Sequence, residues 1–317
     1  MIPAGTYMLN SIDVKGPCKA PIEIQVDGTI QAPANQDEIK GADQWVKFTH
    51  VDFITLSGKG VFDGQGAEVW KQKKGGPAWS GKGPNKVFMN FGFNFVNNSI
   101  IRDITCKDSK NFQVLVFACQ NITFDGFTIS APKDSPNTDG IHIGKSTDVK
   151  ILNTNIGTGD DCISVGDGTK NLTVQNVNCG PGHGISIGSL GKHGLMNLVG
   201  DGTKNLTVQN VNCGPGHGIS IGSLGKFTTE ENVEGVLVKN CTLTETDNGV
   251  RIKTWPNEPA TLTISDLHFE DITMVNVKNP VIIDQEYFVG TAPVCQAPGA
   301  APGAAPGAAP AGATPIA

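Results

Sequence analysis

The sequence is poor in several residue types, and each shortage excludes a class of protein. Aromatic residues make up 6% of the chain and charged residues 17%. No apolar run approaches the roughly 20 residues of a membrane-spanning helix, so we expect no membrane partner. Basic residues do not outnumber acidic ones, and the formal net charge is −6. Because phosphate neutralisation requires a basic surface, the composition disfavours nucleic acid as a partner.

Helical periodicity and a targeting signal are also missing. The 40 glycines and the frequent β-branched residues favour many short strands joined by tight turns. Residues 1–5 carry neither the basic nor the apolar region of a signal peptide. Eight cysteines and five Asn-x-Ser/Thr sequons nevertheless indicate a secreted glycoprotein, so we expect a leader to have preceded this sequence. The sequon asparagines are Asn97, Asn121, Asn171, Asn205 and Asn240.

A loose internal repeat runs through the middle of the chain. Similar alternating segments begin at Asn98, Asn121, Asp148 and Asn171. Their period lies in the twenties, and apolar and polar residues alternate inside each unit, which is typical of a solenoid of β-strands. The sequence therefore predicts one parallel β-helix over residues 1–290, with asparagine ladders at its turns. Residues 291–317 are rich in Ala, Pro and Gly and predict a flexible tail.

One segment of the repeat is duplicated without change. Residues 165–192 are identical to residues 199–226. The offset between the copies is longer than the neighbouring steps, so the duplication interrupts the rhythm of the repeat. A repeat that diverges under ordinary selection does not stay identical, which indicates a recent event.

Four short polar motifs follow one another, and the third occurs in both copies of the duplicated segment. They occupy residues 137–140 (Asn-Thr-Asp-Gly), 159–161 (Gly-Asp-Asp), 182–184 and 216–218 (Gly-His-Gly), and 251–253 (Arg-Ile-Lys). Each alone has an ordinary explanation, such as a turn carboxylate or a solvated strand face. Together they supply three carboxylates, an imidazole and two cations, the groups needed to hydrolyse a glycosidic bond in an acidic sugar.

The spacing of the acidic motifs places them on neighbouring coils. One period of the repeat separates Asp139 from Asp160, and a similar interval separates Asp161 from His183. Adjacent Asp residues reach one cleft only through a local kink, because strand neighbours point to opposite faces, and Gly159 is suited to provide it. In inverting hydrolysis one carboxylic acid protonates the leaving oxygen while a carboxylate activates water on the opposite face.

The last motif supplies two cations. Arg251 and Lys253 alternate along a predicted strand, so both side chains leave the same face. Paired cations suit a sugar carboxylate, to which arginine offers a bidentate fork. The motifs together predict a cleft that binds and cuts an acidic polysaccharide.

In these motifs and their order the chain resembles the polygalacturonases of glycoside hydrolase family 28, over roughly residues 2–288. The segments at 58–66 and 181–186 look like plant members, especially the exo-acting enzymes of pollen. The resemblance implies an all-β fold, a right-handed parallel β-helix of the pectin-lyase-like class. It also implies inverting hydrolysis of α-1,4-galacturonan in pectin or polygalacturonate, without metal or other cofactor, by a protein secreted to the cell wall. We expect a monomer.

The resemblance also implies residue roles. Asp160 resembles the general acid, and Asp139 and Asp161 resemble the pair that activates water, at about 6.5–9.5 Å from the acid. Either His183 or His217 matches the motif histidine. The implied substrate-binding residues are Asn137, Arg251, Lys253 and Tyr287.

A disulfide between Cys162 and Cys179 beside the site is implied in the same way. Cys213 stands in the same context as Cys179, within the second copy, and is the rival partner of Cys162.

The duplication makes the two histidines compete for one position. His183 has the expected distance from Asp161, whereas His217 stands at the expected distance before Arg251. Only expulsion of one copy, 165–198 or 193–226, as a loop would satisfy both distances. Such a loop is tolerable because closure entropy grows slowly with length, but it exposes core residues and competes with an added coil. An added coil would instead move the cations by about 4.8 Å.

Two other functions remain open at this stage. One is a catalytically impaired β-helix that acts as a carbohydrate-binding or antigenic pollen protein, which the duplication favours. The other is a pectate lyase, which shares the fold but requires calcium. The sequence does not separate endo from exo attack.

Overall fold

The structure is a computed structural model that describes residues 1–39, 43–73, 88–188, 202–226, 230–256 and 262–287. The predicted tail at 291–317 lies outside these residues. The short helices are a 3-10 turn, Gln36–Glu38, and α1, Ala67–Lys73. The strands are β1 (Thr6–Met8), β2 (Ile12–Lys15), β3 (Ile22–Gln25), β4 (Thr29–Gln31), β5 (Gln44–Thr49), β6 (Ile54–Ser57), β7 (Val61–Asp63), β8 (Met89–Asn94), β9 (Asn97–Arg102), β10 (Thr105–Lys107), β11 (Val114–Phe117), β12 (Gln120–Asp125), β13 (Thr128–Ser130), β14 (Ile141–Gly144), β15 (Thr147–Leu152), β16 (Asn155–Gly157), β17 (Asp161–Val165), β18 (Lys170–Cys179), β19 (Gly184–Ile187), β20 (Thr203–Cys213), β21 (Ile219–Leu224), β22 (Val233–Thr244), β23 (Asn248–Thr254), β24 (Ile264–Val275) and β25 (Asn279–Asp284).

Two parallel sheets contain the strands of the described residues. One sheet has ten strands in the order β2-β5-β8-β11-β14-β17-β19-β21-β23-β25, so each coil contributes one strand. The other has 15 strands, two short ones per early coil and one long strand per coil from β18 onward. Parallel strands paired at every turn of a winding chain form a β-helix, so the predicted fold is confirmed.

The core consists of inward-facing side chains stacked from coil to coil. In β12, Ile122 and Phe124 are buried, whereas Thr123 between them is half-buried, as alternation along a strand requires. Phe124 pairs with Ile101 below it and with Ile151 above it. Burial of each such side chain contributes about 1.5–3 kcal/mol, and this repeated apolar column stabilises the solenoid.

Asparagine ladders run along the turns, as predicted. Asn176 donates from Nδ2 to Asn153 Oδ1 at 2.9 Å, Asn210 donates to Asn176 at 3.0 Å, and Asn240 donates to Asn210 at 2.9 Å. These asparagines have φ between 50° and 56°, the left-handed region that asparagine tolerates. Each ladder satisfies turn amides that would otherwise compete with the strand hydrogen bonds.

Both copies of the duplicated segment form coils, so of the two alternatives the structure has the added coil and not the expelled loop. Strand β18 of the first copy pairs with β20 of the second, and Leu172 faces Leu206 in this register. Strand β19 pairs with β21 in the same way, with Ile185 facing Ile219. All four of these side chains are buried. An expelled copy would expose such residues, whereas an added coil buries them on its own duplicate.

No helix among the described residues is long and apolar enough to cross a membrane.

Candidate active site

Three acidic side chains meet where two neighbouring strands of the ten-stranded sheet begin. Asp139 precedes β14 by two residues, and Asp161 is the first residue of β17. The Gly140 amide donates to the Asp161 carbonyl at 2.8 Å, which joins the two strand entrances. Asp139 is buried, with 6% of its surface exposed, whereas Asp160 and Asp161 are partly exposed. The Asp139 and Asp161 side chains therefore approach one cleft from adjacent coils.

The chain is irregular at the paired carboxylates, as their shared cleft requires. The register between β17 and β19 shifts between Asp161 and Ile163. Asp161 N donates to Asp160 Oδ1 at 2.9 Å, which folds Asp160 back over its neighbour. Gly159 serves this site by allowing close approach, because a Cβ there would lie 2.0 Å from the Ser135 carbonyl oxygen.

The expected separation of acid and base is wrong for one pair. Asp160, Asp161 and His183 each offer one atom, and these atoms lie within 4.8 Å of one another. The expected range was about 6.5–9.5 Å. The carboxyls are close because Asp160 accepts from the next residue's amide instead of extending away from it.

His183 is the histidine beside the acidic cluster. Its Nδ1 lies 2.9 Å from Asp160 Oδ1, and its amide donates to the Asp160 carbonyl at 2.8 Å. The hydrogen bond that the His183 ring donates to Asp160 raises the pKa of His183, against the opposing effect of burial. Its side chain is 43% exposed, so it can reach a ligand in the cleft.

His217, the histidine of the second copy, lies one coil further on. Its ring stacks on His183, with centroids 4.2 Å apart and planes 10° apart. Its Nε2 is 3.5 Å from Asp247 Oδ2. Burial and the neighbouring His183 lower the pKa of His217. The first copy therefore faces Asp160, and the second forms a separate histidine–aspartate pair.

Burial and neighbouring charge raise the pKa values of two of the three carboxyls, Asp139 and Asp161. Burial first, and then the charges of Asp160 and Asp161, raise the pKa of Asp139 well above its ordinary value. Burial and Asp160 raise the pKa of Asp161 to about 7, although His183 and Lys253 oppose the shift. The pKa values of Asp139 and Asp161 are therefore both raised by burial beside like charges.

The cations form a second cluster with an aromatic ring. Arg251 Nη2 donates to Asp284 Oδ2 at 3.0 Å. The Arg251 Cζ and the Lys253 Nζ each lie 4.9 Å from the centroid of the Tyr287 ring. Burial lowers the pKa of Lys253, and Asp161 opposes this shift. Three of the four residues inferred as substrate binders, Arg251, Lys253 and Tyr287, thus lie together.

The acidic and cationic clusters occupy one face but not neighbouring coils. Asp161 is in β17 and Arg251 is in β23, with β19 and β21 between them. Three strand spacings of about 4.8 Å place these strands roughly 14 Å apart. Without the duplicated coil the distance would be about 10 Å. Lys253 still influences the pKa of Asp161, so both clusters face the same cleft.

The remaining predicted residues lie beside the acidic cluster. Asn137 Nδ2 is 3.5 Å from Asp160 Oδ2, a long contact at the limit of a hydrogen bond. A disulfide joins Cys162 to Cys179, the pairing implied by the resemblance. Cys213 is a buried free thiol.

Among the residues that the structure describes, the acidic cluster is the group that could hold a metal ion. Asp160, Asp161 and His183 present three ligand atoms within 4.8 Å. In the structure His183 Nδ1 lies 2.9 Å from Asp160 Oδ1. The geometry is that of a hydrogen-bonded acid–imidazole pair.

Four polar residues at the site were not identified from the sequence. Asp247 and Asp284 contact His217 and Arg251, and no spacing in the sequence indicates these partners. His142 Nδ1 lies 2.7 Å from Ser164 Oγ, and Ser164 Oγ donates to Asp139 Oδ2 at 3.2 Å. His142 and Ser164 are separated by one coil of chain, the interval that links the catalytic candidates, so the spacing carried a usable signal.

Fold and site define a parallel β-helix protein with a carboxylate-lined cleft. Residues 1–201 and 198–300 match the profile of glycosyl hydrolases family 28, and the chain belongs to this family. The two matched segments meet where the second copy begins. A "Polygalacturonase" from Medicago sativa is 68% identical over 289 residues, which cover 91% of this chain and 61% of the relative. An "Exopolygalacturonase" from Oenothera organensis is 46% identical over 291 residues, which cover 90% of this chain and 69% of the relative.

Solved structures agree on the fold. An endo-xylogalacturonan hydrolase from Aspergillus tubingensis superposes with a TM-score of 0.71 at 21% identity, covering 89% of this chain and 84% of the other. A polygalacturonase from Erwinia carotovora superposes with a TM-score of 0.57 at 19% identity, covering 92% and 97%. The chain spans about three fifths of the length of the first curated relatives that it matches.

Proposed function

We propose that this protein hydrolyses α-1,4-galacturonosyl linkages in pectin or polygalacturonate. The observation that carries the proposal is the pairing of a three-carboxylate cluster with a cationic cluster along one cleft. Carboxylates that share a proton supply acid and base, and Arg251 and Lys253 suit the carboxylate that every galacturonosyl unit carries. The curated names of the relatives support this substrate class.

In the proposed mechanism the carboxyls divide the work as the resemblance implies. Asp160 protonates the leaving oxygen, while Asp139 and Asp161 hold and deprotonate the attacking water. His183 contacts Asp160 and orients it by two hydrogen bonds, one from the ring and one from the backbone. Arg251 and Lys253 anchor a sugar carboxylate over the Tyr287 ring, which offers an apolar face.

The alternative assignment makes Asp161 the acid. It is favoured by one observation: the pKa of Asp161 is raised to about 7, whereas Asp160 accepts a hydrogen bond from the Asp161 amide and contacts His183. A substrate with a nitrophenolate leaving group separates the two assignments, because this group departs without protonation. The variant of the true acid, Asp160→Asn or Asp161→Asn, should keep much more activity on this substrate than on polygalacturonate.

Release of reducing sugar from polygalacturonate by the purified protein tests the proposal as a whole. Activity in the presence of EDTA would argue against a calcium-dependent lyase, and an unsaturated product absorbing in the ultraviolet would support one. Binding of polygalacturonate without any turnover would support the second candidate, a carbohydrate-binding β-helix. The added coil favours that candidate, because it separates the cations from the carboxylates.

We further propose exo-action outside the cell, at the plant cell wall. The relatives named exopolygalacturonase support exo-action, and the disulfide together with the sequons supports secretion. Exo-action predicts that galacturonate monomer accumulates from the first minutes while viscosity falls slowly. Early oligomers with a rapid fall in viscosity would show endo-action.

A further inference from the structure

A buried polar chain ends at one of the candidate water-activating carboxylates. Ser164 Oγ donates to Asp139 Oδ2 at 3.2 Å, and His142 Nδ1 lies 2.7 Å from Ser164 Oγ. The three residues are 6%, 1% and 3% exposed, in the order Asp139, Ser164 and His142. Such burial separates the chain from bulk solvent, so its hydrogen bonds are strong and their loss is costly.

The backbone fixes the geometry of this chain. His142 in β14 and Ser164 in β17 are register partners on adjacent strands. Asp139 lies just before β14, and its carbonyl accepts from the Gln113 amide at 2.7 Å. Strand pairing, and not the rotamer of a flexible side chain, therefore places the Ser164 hydroxyl between the imidazole and the carboxylate.

The direction of the hydrogen bonds follows from what each group can donate. An ionised Asp139 only accepts, so the Ser164 hydroxyl donates to it. The Ser164 oxygen then accepts, and the His142 Nδ1 carries the proton. The His142 ring also packs on the Phe112 ring, with centroids 5.3 Å apart, and this contact helps to hold the imidazole in place.

We propose that His142 and Ser164 are positioning residues that orient Asp139 and favour its ionised form, the form that activates water. The inference rests on the proposed function. The charged groups facing Asp139 are Asp160 and Asp161, and both oppose its ionisation, as does burial. The Ser164 hydroxyl acts in the other direction and lowers the pKa of Asp139. A buried carboxylate beside two others needs such a donor to serve as a base.

The chain offers a matched control for this role. Ser186 is the register partner of Ser164 on the next coil and is also buried. Its hydroxyl donates to the Gly222 carbonyl at 3.4 Å and not to an acid. Ser164→Ala and Ser186→Ala therefore remove the same atom from equivalent positions, and only Ser164→Ala breaks the hydrogen bonds that link His142 to Asp139.

The first test is the acid limb of the pH dependence of kcat on polygalacturonate. Ser164→Ala should move its midpoint upward by about one pH unit or more, because Asp139 loses a hydrogen bond to its charged form. KM should change little. Ser164→Thr, which keeps the hydroxyl, and Ser186→Ala should retain the parental midpoint. His142→Asn, with an amide at the position of Nδ1, should lie nearer to the parent than His142→Phe does.

A second measurement keeps this inference separable from the proposed function. Carbon-13 NMR of labelled aspartate side chains follows the Asp139 carboxyl directly, in parent and variants, whether or not the protein is active. An upward shift of its titration in Ser164→Ala and not in Ser186→Ala supports the hydrogen-bond chain. An unchanged or lower Asp139 midpoint in Ser164→Ala overturns the inference. If the titration midpoint of the Asp139 carboxyl shifts but the acid limb of kcat does not, the catalytic role alone is overturned. An inactive parent refutes the proposed function instead.

Discussion

Removing one copy of the duplicated segment should restore the spacing of the cleft. Deletion of residues 193–226 and deletion of residues 165–198 leave the same sequence, because the copies are identical and both deletions remove the linker between them. The deletion brings the strand of Arg251 from about 14 Å to about 10 Å from that of Asp161, at about 4.8 Å per strand. A misplacement of about 1 Å can cost about 10²-fold, so kcat/KM on polygalacturonate should rise by at least about that factor.

The role of Arg251 can be tested in both lengths of chain. If the sugar at Asp161 reaches Arg251 only in the shortened protein, Arg251→Ala should raise KM much more there than in the parent. The difference between the effect of Arg251→Ala on KM in the shortened protein and in the parent measures how strongly the added coil changes the contribution of Arg251. Equal effects in both proteins, or no gain of activity on deletion, would refute the spacing argument.

Stability reports separately on whether the added copy is folded. The structure places it in the core, so the shortened protein should expose less surface on unfolding. The slope of unfolding free energy against urea should fall by about one tenth, because the deletion removes about that fraction of the chain. An unchanged slope would mean that the second copy is an unfolded loop after all.

Four further outcomes are expected. Asp160→Asn should lower hydrolysis by about 10² to 10⁴-fold, measured as reducing-sugar release, with an unchanged circular dichroism spectrum. Proton NMR from the first turnover should show an inverted product anomer, and initial retention would eliminate the inverting scheme despite the close carboxyls. Because the pKa of Asp161 is raised to about 7, the folded state binds the extra proton and loses stability as pH rises from about 4 to 7. Asp161→Asn should therefore raise the melting temperature by an amount that grows over this range, and a gain independent of pH would contradict the cause. The Cys162 disulfide should survive in Cys213→Ser and be lost in Cys179→Ser, as counted by free thiols after denaturation. Variants are needed because the peptides around Cys179 and Cys213 are identical. The reverse pattern would place the bond on the second copy.

The fold was predictable because its signal repeats. Each coil presents the same alternation, so errors at one unit do not change the outcome, and Asn176 or Phe124 can be assigned to a turn or to the core from sequence alone. The grouping of Asp139 with Asp161 followed in the same way, since one coil separates them. The spacing of one coil along the sequence and the residue type were sufficient to predict where these residues lie.

The fate of the duplicated segment could not be predicted from local sequence. Identical copies have identical local preferences, so only stacking decides whether one of them leaves the solenoid. The pairing of Leu172 with Leu206 shows how readily a coil packs on its own duplicate. The position of Asp160 also escaped prediction, because it depends on a hydrogen bond to the amide of the next residue.

The sequons acquire a different meaning once their side-chain contacts are known. In all five, the Nδ2 atom that would carry an N-linked sugar already donates a hydrogen bond: to Asp52 from Asn97, to Asn98 from Asn121, to Asp148 from Asn171, to Asn171 from Asn205, and to Asn210 from Asn240. Glycan attachment replaces one of the two hydrogens on that nitrogen. The sugar and the hydrogen bond between coils therefore involve the same nitrogen atom, and every oligosaccharide added here would be attached at a side chain that links neighbouring coils of the solenoid.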